Sequence, residues 1–184
     1  MDTRRLKRLV LRARKGDGDA AAEIFDLYHS RIYRYALAKL RHPVEAEDVA
    51  AETFAKVLKE LKGFRWRGAG FEAWLFRIAS NVVVDHVRRS NRQEQLEEAT
   101  TIFVRWADGP ERDVLRAETA GELRALLNEL CDEQKEVLLL RFAAGLSSDE
   151  VAKVMRKKPN AIRQLQFRAL SNLRQQMALK EAAS

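Results

Sequence analysis

The sequence predicts an all-α protein built as two small helical domains joined by an acidic linker. Three observations carry that prediction. Glycine and proline are scarce, at 8 and 3 of 184 residues, so few positions interrupt a helix. No stretch alternates apolar and polar side chains with period two for long. Charge changes sign twice along the chain. Residues 1–90 hold 19 Lys and Arg against 12 Asp and Glu, residues 91–131 hold 5 against 9, and residues 132–184 hold 10 against 6. Two basic blocks around an acidic middle read as domain, linker, domain, with bounds at 1–90, 91–110 and 111–184. Each domain is large enough for a modest core only.

A first helix is expected from about Asp19 to Leu40, with Ala22, Phe25, Ile32, Tyr35 and Ala36 near one face. "RHP" at 41–43 stops it, because the residue before proline disfavours helix, and Pro43 can open the next one. That second helix carries Val49, Phe54, Val57, Leu58 and Leu61 and ends near Gly63. Its first turns hold Glu45, Glu47 and Asp48, where the helix dipole favours negative charge. A third helix spans about Phe71 to Arg89, with Leu75, Ile78, Ala79 and Val82 on one face. From Ser90 to Asp108 periodicity weakens while Glu94, Glu97, Glu98, Asp108 and the following Glu111 accumulate, which reads as a linker with local structure only. Helix resumes after Pro110 and again over about Asp132 to Ala143.

The stretch "FRWRGAGFEAWLF", residues 64–76, holds five of the fourteen aromatic side chains beside two arginines and two glycines. Rings on a basic, glycine-rich turn suit capture of an unstacked nucleic-acid base. Phe64, Trp66 and Phe71 are the candidates to line or support such a pocket. Arg65 and Arg67 are placed to neutralise a backbone, and Trp74 and Phe76 read as packing residues.

The segment "GLSSDEVAKVMRKKPNAIRQLQFRALSNLRQQ", residues 145–176, has the anatomy of a helix-turn-helix. Gly145 ends one helix, and Ser147 with Glu150 forms a capping box for the next. "RKKPN" makes the turn. Ile162, Leu165, Ala169 and Leu173 then repeat on the buried side of a second helix. Arg163, Gln164, Phe167 and Arg168 occupy its other side, where Arg and Gln have the donor geometry to read guanine and adenine edges. Lys157 and Lys158 sit where phosphates would pass. Two packed helices with a solvated basic face would share this pattern.

"HPVEAEDVAAETFAKVL" at 42–58, "FRWRGAGFEAWLFRIASNVVVDHVRR" at 64–89 and the helix-turn-helix, in that order, resemble the extracytoplasmic-function (ECF) sigma factors of bacterial RNA polymerase, within the sigma-70 family. The resemblance covers about Lys15 to Gln176. It implies a region 2 helical bundle and a region 4 helix-turn-helix, serving a promoter-specificity subunit. The helix from about Val44 to Leu61 would dock on the clamp helices of the largest subunit of core RNA polymerase through Glu45, Glu47, Asp48 and Glu52. Ala51 stands where the family often has glutamine. The aromatic loop would receive a flipped base of the minus-ten element, Arg77 and Asn81 match DNA-facing positions, and the helix-turn-helix would read the minus-thirty-five element. The linker would thread the polymerase cleft toward the RNA exit channel, although an ordinary solvated linker fits the residues equally. Promoter DNA and an anti-sigma factor are the further partners implied.

The chain's remaining features narrow the function class. A net charge of +7 and a pI near 9.7 favour an anionic partner. The single Cys131 excludes an internal disulfide and suits a reducing compartment; beside Leu127 and Leu130 it reads as a buried packing thiol. No apolar run approaches the ~20 residues that span a bilayer, and "LVL" at 9–11 is too short for a signal-peptide core. A cytoplasmic protein without membrane insertion is expected. His29, His42 and His86 lack metal-ligand spacing, and there is no phosphate-binding glycine loop or nucleophile elbow. A non-enzyme without cofactor or metal is therefore expected. A stand-alone helix-turn-helix regulator, normally a symmetric dimer, and a helical protein-binding decoy are the competing classes.

Overall fold

The computed structural model describes residues 3–66, 70–90, 127 and 130–181. Its elements are α1 (Thr3–Arg14), α2 (Gly18–Leu40), α3 (Pro43–Glu60) with a 3-10 turn at Leu61–Gly63, α4 (Gly70–Ser90), α5 (Asp132–Leu138), α6 (Ser148–Val154) and α7 (Pro159–Glu181). A π-helical turn at Leu139–Ala143 continues α5. No strand occurs among the described residues. The expected linker at 91–110 and the helix after Pro110 lie outside them, apart from Leu127 and Leu130.

Local chemistry fixes the ends of these helices. Asp17 caps α2, its side chain accepting a hydrogen bond from the Ala20 amide at 3.0 Å. Arg12 Nε donates to the same carboxylate at 2.7 Å, so the amide and the guanidinium together hold Asp17 below the usual carboxylate range. Arg41 ends α2 in the left-handed region, at φ 60°. His42 and Pro43 then start α3, with the Glu45 amide donating to His42 Nδ1. Gly70 opens α4 at φ +70° and Gly145 follows the π-helical turn at φ +68°, values a side chain strains to reach. Ser147 and Glu150 form the expected capping box, with the Ser147 amide donating to Glu150 at 2.7 Å.

One buried cluster runs through both halves. Tyr28, Ile32, Tyr35, Phe71, Leu75 and Phe76 belong to it, and so do Leu140, Leu146, Val151 and Ile162. Helices α2, α3 and α4 form the first bundle, against which the π-helical turn after α5 packs on α2 and α6 packs on α4. The halves are thus in direct contact, which the sequence did not indicate.

Four expectations need correction. Residues 3–14 form a helix, because Leu6, Leu9, Val10 and Ala13 make a narrow apolar stripe that packs on α2. The buried face of α2 is Ala20, Ile24, Tyr28, Ile32, Tyr35 and Ala36. Ala22 and Phe25 lie off that line at about 100° per residue, and the Phe25 ring packs tilted against Phe54 instead, at 4.6 Å between ring centres. Leu58 is 53% exposed, on the outer face of α3. Cys131 is exposed; it occupies the cap position of α5, where its amide donates to Gln134, while Leu130 takes the buried position beside it.

Candidate nucleic-acid interface

The aromatic segment builds a site in two layers. Phe64 and Phe71 are buried, their rings edge-on at 5.6 Å. Trp66 meets Phe64 edge-on at 5.8 Å, and Trp74 tilts against Phe64 at 4.8 Å. Such contacts fix ring orientation as well as burying area. In front lies an open cleft of about 640 Å³, lined by Lys59, Glu60, Gly63, Phe64, Arg65, Gly70, Trp74 and Arg77. Its lining pairs apolar ring surface with three cationic side chains, the chemistry an unstacked base and its phosphate require.

The expected residues divide between those layers. Phe64 and Arg65 line the cleft, Trp66 flanks Phe64, and Phe71 stands behind Phe64 as support. Arg67 lies outside the described residues. Arg77 lines the cleft, yet one of its terminal nitrogens donates to the Lys153 carbonyl of α6 at 2.6 Å. Its buried Nε finds no hydrogen-bond partner among the described residues. Asn81 is exposed one turn further along α4. Trp74 and Lys59 also line the cleft and were not anticipated. Trp74 sits at the start of the second turn of α4, four residues past the left-handed Gly70, a position at the mouth of the loop that its spacing could have indicated.

The acidic residues of α3 do not act as one patch. Glu45 Oε2 lies 3.1 Å from His86 Nε2 and Glu47 Oε1 lies 2.9 Å from His29 Nε2. Glu52 pairs with Lys56 at 3.0 Å and Arg89 at 3.1 Å. The Lys56 hydrogen bond, with help from Arg89, lowers its pKa. Between these flanks runs an exposed strip of Val44, Asp48, Ala51, Ala55 and Leu58. The 4-3-4-3 spacing keeps it on one face. Here the missed residues are Val44 and Leu58, apolar and outward on an otherwise charged helix.

The helix-turn-helix presents its face as its spacing requires. Ile162 and Ala169 are buried, while Arg163, Gln164, Phe167 and Arg168 are exposed, Phe167 at 71%. Arg163 donates to Asn160 at 3.1 Å and lies 3.6 Å from Asp149. The turn from α6 reverses at Arg156, φ 55°, and the Lys157 amide closes it on the Ala152 carbonyl at 2.8 Å. Lys157 also pairs with Glu133 at 2.7 Å, and Lys158 is exposed. Among the described residues no group of His, Cys, Asp and Glu side chains could hold a metal ion. None of the described helices is long and apolar enough to cross a membrane.

Comparison with known proteins matches two parts of the chain to family models. Residues 24–93 match Sigma-70 region 2 and residues 120–173 match Sigma-70 region 4. The ECF RNA polymerase sigma factor BldN of Streptomyces coelicolor is 35% identical over 173 residues, covering 94% of this chain and 66% of that protein. The ECF RNA polymerase sigma factor SigD of Mycobacterium tuberculosis is 33% identical over 183 residues, covering 96% of this chain and 86% of that one. The solved structure of CnrH in complex with the cytosolic domain of CnrY shares the fold, with a TM-score of 0.71 at 24% identity over all of both chains. An all-α fold with an exposed helix-turn-helix face, both region models in order and this identity along nearly its whole length place the chain in the ECF sigma factors of the sigma-70 family.

Proposed function

We propose that this chain is the promoter-specificity subunit of RNA polymerase, holding a flipped minus-ten base in the cleft before α4 and reading the minus-thirty-five element with the N-terminal half of α7. The observation that carries this reading is the cleft itself. Rings of Phe64 and Trp74 stand beside Lys59, Arg65 and Arg77 at a glycine-hinged helix start. A sigma factor must open duplex DNA without ATP. Unstacking a base costs a few kcal/mol, and stacking on an aromatic ring returns about 1–3 kcal/mol per base. Lys59 and Arg65 supply charge for the separated strand. Region 2 would span residues 1–90 and region 4 residues 111–184, with the acidic segment 91–110 connecting them.

Docking on the polymerase clamp helices is assigned to the α3 strip centred on Asp48, with Val44 and Leu58 as its apolar ends. Glu45, Glu47 and Glu52 shape that strip through their pairs with His86, His29 and Arg89. An anti-sigma factor is the proposed regulatory partner, and the bacterial cytoplasm the proposed location. Transcription in vitro with core polymerase on duplex and pre-melted templates tests the reading. Wild type should start transcripts at discrete promoters, and Asp48→Lys should abolish core binding while leaving helicity unchanged. Promoter binding by a dimer without polymerase would instead make the chain a stand-alone regulator, and core binding without promoter-specific initiation would make it a decoy.

A further inference from the structure

Helix α1 holds the charge of the whole molecule. The chain has 34 Lys and Arg against 27 Asp and Glu, and residues 3–15 contain seven of those cations and none of the acids. Everything outside this segment is therefore balanced, and the formal charge of +7 belongs to α1 and the residue after it. Concentrated on one helix, that charge makes a local field that the same charge spread over the surface would not.

The cations are sorted by face. Leu6, Leu9, Val10 and Ala13 are buried where α1 packs on α2. At about 100° per residue, Arg5 and Arg12 stand at one edge of that stripe. Each pairs within the chain, Arg5 with Glu23 at 2.8 Å and Arg12 with Asp17 at 2.7 Å. Arg4, Lys7, Arg8 and Leu11 fall on the opposite face, Lys15 follows in the turn, and all five are exposed. Lys7, Arg8 and Lys15 make no ion pair among the described residues. From Arg4 to Lys15 the row runs about 16 Å at 1.5 Å per residue.

The C-terminal end of this row meets the cleft. Arg14 reaches the 3-10 turn Leu61–Gly63, where a terminal nitrogen donates to the Lys62 carbonyl at 3.3 Å. Gly63 of that turn lines the cleft with Lys59 and Arg65. The cations of α1 and those of the cleft are thus joined through a single turn. A basic amphipathic helix often lies on a membrane surface with its apolar face in lipid. Here that face is covered by α2, and Leu11 is the only large apolar side chain that α1 exposes. What remains outside is charge with little apolar area, which suits a polyanion rather than a bilayer.

We propose that the outer face of α1 is a phosphate grip, a row of cations that holds the backbone of promoter DNA beside the cleft. Its place next to a captured base rests on the function proposed above; its affinity for a DNA backbone does not. A cation that meets a phosphate releases a condensed counterion, so the grip adds affinity without reading sequence. Held there, the backbone stays at the mouth of the cleft while a base leaves the stack.

The test compares the triple variant Lys7→Gln, Arg8→Gln, Lys15→Gln with a charge-keeping Lys7→Arg, Arg8→Lys, Lys15→Arg chain. All three side chains are exposed, so helicity and urea unfolding should match wild type. Non-specific binding of the full chain to a short random-sequence duplex should weaken about tenfold or more in the triple variant at about 0.1 M salt. The slope of log affinity against log salt should fall by about two to three units, and the charge-keeping chain should bind as wild type does. With core polymerase on promoter DNA the same losses should appear, while core affinity and base preference stay unchanged. An unchanged salt slope in the triple variant overturns the grip, and so does a charge-keeping chain as weak as the triple variant. Lost core affinity in the triple variant overturns it in favour of a polymerase contact. Wild-type binding to phosphatidylserine vesicles tighter than to the duplex, and lost in the triple variant, overturns it in favour of a membrane surface. A wild type that binds the duplex with the expected slope yet never initiates with core polymerase rejects the function proposed above and leaves the grip standing.

Discussion

At the start of α4 the candidate contact residues are built into the core, whereas on α7 they stand outside it. Phe64 is buried between Trp66, Phe71 and Trp74, so the cleft exists because the bundle is packed. Arg163, Gln164, Phe167 and Arg168 add nothing to the core, which Ile162 and Ala169 fill from the other side of the helix. The comparison teaches which changes can be separated. A change in the cleft alters stability and function together, while a change on the recognition face alters function alone.

The sharpest way to break that contrast is Phe71→Ala. A fully buried aromatic truncated to alanine should cost about 3–5 kcal/mol in urea unfolding, and promoter opening should fall with it. A loss under ~1 kcal/mol would detach the cleft from the core. Trp66→Ala is next. Only half-buried, it should cost less in unfolding than Phe71→Ala, yet slow opening on duplex templates by an amount worth about 1–3 kcal/mol. A pre-melted template should recover most of the loss, because unstacking is already done; equal damage on both templates would mean that Trp66 traps no base. Arg163→Ala or Gln164→Ala should change stability by no more than about 0.5 kcal/mol. Each should cost about 1–3 kcal/mol at one or two base pairs of a randomised upstream element. A uniform loss with no altered base preference would remove these residues from direct readout. Lys157→Ala should have the smallest effect. Its exposed pair with Glu133 contributes about 0–1 kcal/mol, and binding should weaken alike on all promoters, flattening the salt dependence by about one unit of slope. A change in base preference would move Lys157 from phosphate grip to reader.

Local rules made much of this legible. Pro43, the Ser147–Glu150 box and the Ile162–Ala169 spacing each act within a turn or two, and the elements they mark formed as expected. What escaped depends on partners distant in sequence. The amphipathic α1 is short, and isolated helices of about that length are marginal; its four buried apolar residues are held by α2. The outward Leu58 and the place of Trp74 on the cleft wall are set by which neighbour packs beside them. Arg31 carries no motif, yet it joins residues 41 and 114 positions away. The acids of α3 looked equivalent in sequence. They separate only once His29, His86 and Arg89 arrive from α2 and α4.

The junction between the halves also has an evolutionary side. Arg31 and Arg77 grip the carbonyls of Ala144, Gly145 and Lys153, at the C-terminal ends of helical segments where the dipole favours a cation. Carbonyl oxygens are present whatever side chain the residue carries. Substitutions on the outer face of α7 therefore leave these grips in place, since that face contributes nothing to them. A lineage can retune the exposed face one residue at a time and inherit the docking of its two halves unchanged.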